Sequence, residues 1–378
     1  MNFKERIYEK FFSKLRKSEY VGVEIELPII NLKKPFIIEK KVIQDLFQSF
    51  LELNFEVNNY DNEKNIISVK NLNNGDTISL EYSYNTIELS LNKEICVYDL
   101  EKKFLKYYKY IQSWLKKHHY KLCDKGINPN YRVIDKNCLN QDRYKVIERL
   151  LVNKNDNILY SQFCAYCCSI QTHINVEKDN LVNVLNVFTE IEELKDSIFA
   201  NSYMSETNLT NSRKFLWENS NFGPNNVGKN NIYSSVEHIF NDYLNRNIFF
   251  IERNNEFLLL NKKISLNEYF KKTEVSVTNK NNKEVIIKPN IEDVENFRSY
   301  KSVELTKYGT LEIRTDCTQK IDKIFKLVAF NLGVSLFSIE ILDYLKDNKN
   351  ITKEKLIEYA KAGLKKRGKK EEFYLEDL

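Results

Sequence analysis

Glycine and proline are scarce in this 378-residue chain, with nine of the first and five of the second. That scarcity leaves no Gly/Ser-rich or Pro-rich linker, no G-x-x-x-x-G-K-[ST] loop and no kinase-type glycine loop. A nucleotide bound here must be held by something other than a glycine cradle. No apolar run approaches the roughly 20 residues that span a bilayer. Met1-Asn2-Phe3-Lys4-Glu5-Arg6 leads into an amphipathic pattern instead of a signal-peptide core, so the expectation is a soluble, cytoplasmic protein without a membrane partner. Neither sign of charge dominates: 58 basic against 53 acidic residues leave +5. Lysines alternate with acids nearly everywhere but the tail, which gives no basic stripe and argues against a nucleic-acid partner. The seven cysteines are an odd number, and Cys164-Ala165-Tyr166-Cys167-Cys168 has no second pair at zinc spacing. Reduced thiols in a packing role are the expectation.

What the chain does have is apolar residues (42%, with 13% aromatic) sufficient for a large core. With no repeat and no boundary signal, residues 1–378 read as a single domain. Its most informative stretch is Tyr20-Val21-Gly22-Val23-Glu24-Ile25-Glu26-Leu27. Strict alternation makes this a half-buried strand, with Val23, Ile25 and Leu27 on one face and Glu24 and Glu26 on the other. Glutamate is a poor strand former, and two carboxylates this close repel unless a cation or proton stands between them. A solvated outer face accounts for the pair taken alone; three more strands bear on the choice.

Glu81 and Glu88 lie in Ile78 to Ser90, where Ile87-Glu88-Leu89 repeats the apolar–acid–apolar motif. Their odd separation would send them to opposite faces of one regular strand, so sharing a face requires a bulge or turn near Ser83-Tyr84-Asn85. Ser169 to Val176 alternates Gln171, His173 and Asn175 against Ile170, Ile174 and Val176, and Gly309 to Asp316 places Glu312 and Arg314 on one face. Helical spacing marks 3–17, 38–53, 98–122, 142–151, 181–194 and 321–346, and a basic helix and tail cover 360–378. Pro28 should end the first strand. The Asn-rich stretch 201–231 reads as a long loop, 273–290 as a solvated hairpin, and His118 and His119 as surface residues.

If the four strands share one antiparallel sheet, their polar faces gather up to five carboxylates, one imidazole and one guanidinium. Like charges at that density require cations. Carboxylate oxygens with a single imidazole suit Mg²⁺ or Mn²⁺ better than zinc, and carboxylate-held Mg²⁺ is a common partner of nucleotide phosphates.

In this order, Gly22-Val23-Glu24-Ile25-Glu26, Leu80-Glu81 with Ile87-Glu88-Leu89-Ser90, Gln171-Thr172-His173-Ile174, Phe199-Ala200-Asn201-Ser202, Leu311-Glu312-Ile313-Arg314 and Ala362 to Gly368 resemble glutamate–cysteine ligase. The likeness is to the broader carboxylate–amine ligase family and spans nearly the whole chain. It implies an α+β, glutamine-synthetase-like fold: a curved, mainly antiparallel sheet with helices on its outer face. It also implies an ATP-dependent enzyme that activates the γ-carboxylate of L-glutamate as γ-glutamyl phosphate for attack by the amine of L-cysteine, as in glutathione biosynthesis. Under the resemblance Glu24, Glu26, Glu81, Glu88, His173 and Glu312 would ligate Mg²⁺ (or Mn²⁺), and Arg314 would be catalytic at the transferred phosphate. Gln171, Arg213 and Arg298 would bind substrate. The alternative is a relative that uses another amine acceptor or another acid.

Overall fold

The computed structural model describes residues 2–152 and 161–378. Its main sheet is antiparallel and runs in the order β14 (Val303–Leu305), β15 (Thr310–Ile313), β7 (Ile170–Asn175), β1 (Val21–Asn31), β5 (Thr86–Glu94), β4 (Thr77–Leu80), β3 (Ile66–Asn71) and β2 (Phe55–Tyr60). The short β6 (Tyr120–Leu122) joins the far end of β1. A separate four-stranded sheet is ordered β12 (Glu284–Ile287), β11 (Val275–Thr278), β10 (Glu256–Ser265) and β9 (Asn247–Arg253). The remaining pair, β8 (Val227–Gly228) and β13 (Tyr300–Lys301), is parallel. The molecule is thus α+β with an antiparallel main sheet.

Alternation in β1 works as its sequence demands. Val21, Val23, Ile25 and Leu27 are buried on the face covered by helices Lys40–Leu51, Val97–Lys117 and Ile324–Leu336. Glutamates 24 and 26 point to the other face, beneath a cavity. Helix Ile324–Leu336 is apolar all round because it is enclosed on every side, and its Gly333 meets Ala360 and Gly363 of helix Lys353–Lys365. A Cβ on Gly333 would come within 2.3 Å of the Ala360 carbonyl oxygen, so only glycine permits this crossing.

Several expectations from sequence need correcting. Pro28 does not end β1, which continues to Asn31. The N–H of Glu26 donates to the Ser169 carbonyl, so position 28 faces the same side, in the gap between the start of β7 and the end of β6. No ladder donor is needed there, and proline costs nothing. The first helix stops at Phe11, not 17. The third stops at Lys117, and Tyr120–Leu122 turns back as β6 instead of extending it. The expected helix 321–346 is two, Ile324–Leu336 and Ser338–Asn348, bent by 75° at Phe337. The closing helix begins at Lys353 and ends at Lys365. The Asn-rich stretch is not one loop, since it contains the helix Ser212–Glu218. His118 and His119 are exposed, and 275–287 is a hairpin, as expected.

Candidate active site

Sheet register assembles the polar face row by row. One row pairs Glu304, Glu312, His173 and Gly22; the next pairs Gln171, Glu24 and Ser90; the third pairs Glu26, Glu88 and Ser79. Residues directly opposite on neighbouring antiparallel strands have Cβ atoms about 5 Å apart, so the acids stand side by side. Glu81 joins them from a tight turn. Its N–H donates to the Thr86 carbonyl and Tyr82 adopts φ +59°, which reverses the chain between β4 and β5. The odd spacing of Glu81 and Glu88 is resolved by this hairpin. Both line a cavity of about 460 Å³, together with Glu24, Glu26, Gln171, His173, Arg213, Arg298, Glu312 and Arg314. Every residue given a metal, catalytic or substrate role from sequence therefore borders one space. Asn175 does not: its amide donates to the Tyr20 carbonyl at the end of the strand.

The electrostatics are those of a buried acid cluster. Burial pushes the Glu26 carboxyl up to about 7, helped by Glu81 and opposed by Arg213. Burial, then Glu24, Glu81 and Glu26, hold Glu88 well above the ordinary carboxylate range. Glu81 and Glu312 are raised by burial against the pull of Arg143 and Arg314 respectively. Burial also works against the charge on Glu24, but His173 and Arg314 overcome it and bring this carboxyl below its ordinary value. His173 is the reciprocal case, pulled down by burial and raised further by Glu24 and Glu312.

Fixed bonds orient part of this wall. Glu26 accepts from the Ser169 N–H at 2.6 Å and from Nε2 of Gln171 at 3.1 Å. Ser90 donates to Glu88, Tyr144 donates to Glu81 at 3.2 Å, and Arg314 is ion-paired with Glu312. The Arg314 guanidinium also lies 5.6 Å over the Tyr300 ring. Other groups are left open. Nε2 of His173 is 3.3 Å from Oε1 of Glu24, yet this buried atom has no hydrogen-bond partner. One ligand atom each from Glu24, His173 and Glu312 lie within 4.8 Å of one another. An oxygen-rich set with one imidazole fits Mg²⁺ or Mn²⁺. Glu26, Glu81 and Glu88 lie on the same wall but outside that triad.

The cavity also holds residues that sequence reasoning passed over. Lys10, Arg143, Tyr144, Trp217, Tyr300, Glu304 and Lys307 all line it. Arg143 lies four residues before Ile147 on the same helix face, and Lys10 three after Ile7. A cation at a core-facing helical position was the available signal. Val303-Glu304-Leu305 repeats the motif of Ile87-Glu88-Leu89, but it was hidden in a stretch without clear periodicity. The cysteines behave as packing residues: Cys168 is fully buried and Cys167 nearly so, all seven are free, and burial raises the Cys164, Cys167 and Cys168 thiols. Cys164 and Cys167 also contribute to the cavity wall.

No protein-family model matches this chain. No curated protein matches it either. Among solved structures it is similar to a bifunctional glutathione synthetase from Pasteurella multocida, at 11% identity and a TM-score of 0.47, over 98% of this chain and 47% of that one. It is also similar to glutamate–cysteine ligase from Francisella tularensis in complex with AMP, at 12% identity and a TM-score of 0.47, over 96% of this chain and 82% of that one. The chain therefore spans about half the length of the first. Likeness at this level carries no functional argument, which has to come from the cavity.

Proposed function

We propose that the protein is an ATP-dependent carboxylate–amine ligase that joins the γ-carboxylate of L-glutamate to the amine of L-cysteine. One observation carries the reading: Glu24, Glu26, Glu81, Glu88, Glu312 and His173 share one wall of a cavity, and burial raises four of those carboxyls. Carboxylates that only cost stability have no structural reason to be gathered in this way. In this reading Glu24, His173 and Glu312, with Glu26, Glu81 and Glu88 beside them, hold Mg²⁺ or Mn²⁺. When bound, the divalent cations would offset the charge of the nucleotide phosphates.

The chain's own residues supply position and charge, which is most of what phosphoryl transfer needs. Arg314, fixed between Glu312 and the Tyr300 ring, presents a guanidinium to the transferred phosphoryl group. A carboxylate oxygen of the acid attacks the γ-phosphorus and ADP leaves. The amine nitrogen then attacks the acyl carbon, inorganic phosphate leaves, and a proton is released. No protein nucleophile enters this sequence. The cavity thiols agree with that, because burial keeps Cys164 and Cys167 protonated.

The test is ADP release by the purified protein with Mg·ATP and L-glutamate, scanned over amine acceptors, with products identified by mass spectrometry. Turnover confined to L-cysteine and yielding a γ-glutamyl dipeptide is the expected result. Turnover with another amine or acid would keep the chemistry and change the substrate. No ADP with any pair, and no binding of Mg·ATP, would end the ligase reading.

A further inference from the structure

The last strand of a sheet presents a row of unpaired N–H and C=O groups, and folded proteins blunt or cover such edges. Among the described residues the main sheet ends on β14 and β2, and the four-stranded sheet on β9 and β12. Three of these edges are closed or broken. At β14 the Val303 N–H donates to the Asn230 side chain at 3.0 Å and the Leu305 N–H to the Tyr243 hydroxyl at 2.9 Å. At β9 the N–H groups of Asn247 and Glu252 donate to the side chains of Asn226 and Asn296, both at 2.9 Å. β2 is irregular, with register shifts on both sides of Asn59, which spoils it as a template. β12 has neither device.

The hairpin that ends in β12 fixes which of its groups point outward. The Asn279 N–H donates to the Lys283 carbonyl at 3.0 Å, so these two form a hydrogen-bonded pair. Bonded pairs alternate along an antiparallel ladder, which makes Val277 with Val285 and Val275 with Ile287 the next two. The N–H and C=O groups of Glu284, Ile286 and Lys288 therefore point away from β11. Among the described residues nothing accepts from those three N–H groups. Ile286 is 56% exposed, and Glu284 and Lys288 flank it, exposed, on the same face. Both ends of the strand are held in place. Arg149 donates to the Asn279 carbonyl at 2.9 Å, and Arg253 donates to the Lys288 carbonyl at 2.7 Å. A carbonyl has a second lone pair, so Lys288 can still accept from outside.

We propose that β12 is a dimer edge, to which a second copy of this chain adds its own β12, antiparallel about a two-fold axis through Ile286. Such an edge is self-complementary, and its charges select one register. Centred on Ile286, the pairing sets Glu284 opposite the partner's Lys288 at both ends, with Val285 opposite the partner's Ile287 between them. Directly opposed side chains have Cβ atoms about 5 Å apart, close enough for each acid–base pair to attract. Centring on Glu284 or Lys288 would oppose like charges. Centring on Val285 or Ile287 would set Ile286 against a charge and match no pair. The two four-stranded sheets become one, and both free edges are consumed, so assembly stops at two copies. Residues 284–288 are far fewer than the roughly 20–30 a side of a standard interface, so the dimer is weak, with a Kd of about micromolar order. It is independent of the ligase reading, since β12 does not border the cavity.

Sedimentation velocity of the full chain between about 1 and about 200 μM tests the edge. The wild-type protein should pass from monomer to dimer with no larger species. Glu284→Lys and Lys288→Glu each oppose like charges twice, and each should weaken self-association by about tenfold or more. An equimolar mixture of the two should restore it, because the mixed dimer sets lysine against glutamate at every contact. Mixing would not repair a folding defect. Ile286→Pro removes the outward N–H at the centre of the pairing, which donates to nothing within the chain, and should abolish the dimer while keeping the fold. A wild-type protein that stays monomeric throughout, or that forms species larger than a dimer, would overturn the proposal. So would a dimer that survives Ile286→Pro, or charge variants whose mixture associates no better than either alone.

Discussion

Two buried arginines, Arg246 and Arg213, stand in opposite circumstances. Arg246 is 1% exposed and fully engaged: it pairs with Asp242 and Glu304 at 2.7 Å and donates to Ser299 at 3.0 Å. Tyr243 donates to the same Glu304 at 2.8 Å. Arg213 is almost as buried and has no ion pair among the described residues. The acids show the same contrast, since Glu304 and Glu312 are register partners on adjacent strands. Glu304 is locked by Arg246, the Tyr243 hydroxyl and the Lys301 N–H, whereas Glu312, paired with Arg314, belongs to a cluster in which burial raises four of five carboxyls. A charge network closed within the protein serves the fold, and the open one is where the proposed ligands would act.

The largest effect that could break this comparison is at Arg246. Arg246→Met leaves the buried Glu304 and the half-buried Asp242 without their cation, and should cost about 3–5 kcal/mol in urea or thermal unfolding. Arg213→Met removes a charge held by no ion pair among the described residues, though it favours ionised Glu26, and should cost the ligand-free protein far less. Equal losses at both positions would erase the distinction. Next, Glu88→Gln should lower Mg·ATP-dependent turnover by about 100-fold or more while the ligand-free fold melts no earlier, as expected for an electrostatic group whose charge is unwelcome without its cation. Full activity in this variant would take Glu88 out of the site.

The smallest effect is at Lys10, whose ammonium donates to the carbonyls of Val294 and Glu295 at 2.8 and 2.9 Å. Burial, then Arg298, pulls it down from 10.5 to about 7. Between those values the unfolded chain holds a proton that the folded one has released, so this group makes stability rise with pH across the window. Below about 7 both states hold the proton and the burden is complete. Lys10→Met should therefore stabilise more at pH 7 than at pH 10 in paired melts. A constant difference across that range would refute the depressed value.

Much of this site was legible because period-2 alternation is a strong signal. Glu24, Glu26, Glu88 and Glu312 each lie between apolar neighbours that had to face the core, and Gln171 and His173 alternate with Ile170 and Ile174, so their own direction followed. Pairing was not legible, because nothing local to β1 states that β5 and β7 flank it. Pro28 misled for the same reason: its tolerance depends on a gap between two strands distant in sequence. Arg143, Trp217 and Tyr300 were missed because their role comes from what faces them across the cavity. The break at Phe337 was invisible to hydrophobic periodicity, since a helix enclosed on all sides has no polar face by which to track its course.

The central claim is that the acid wall is a cation site. Thermal melting of the wild-type protein and of Glu24→Gln, each with Mg²⁺ or Mn²⁺ and again with EDTA, tests it most directly. A ligand at a hundredfold excess over its Kd stabilises the folded state by about 2.7 kcal/mol. The account predicts that divalent metal raises the wild-type Tm by several degrees and that Glu24→Gln loses most of the gain. Identical melting of the wild-type protein in metal and in chelator would contradict it.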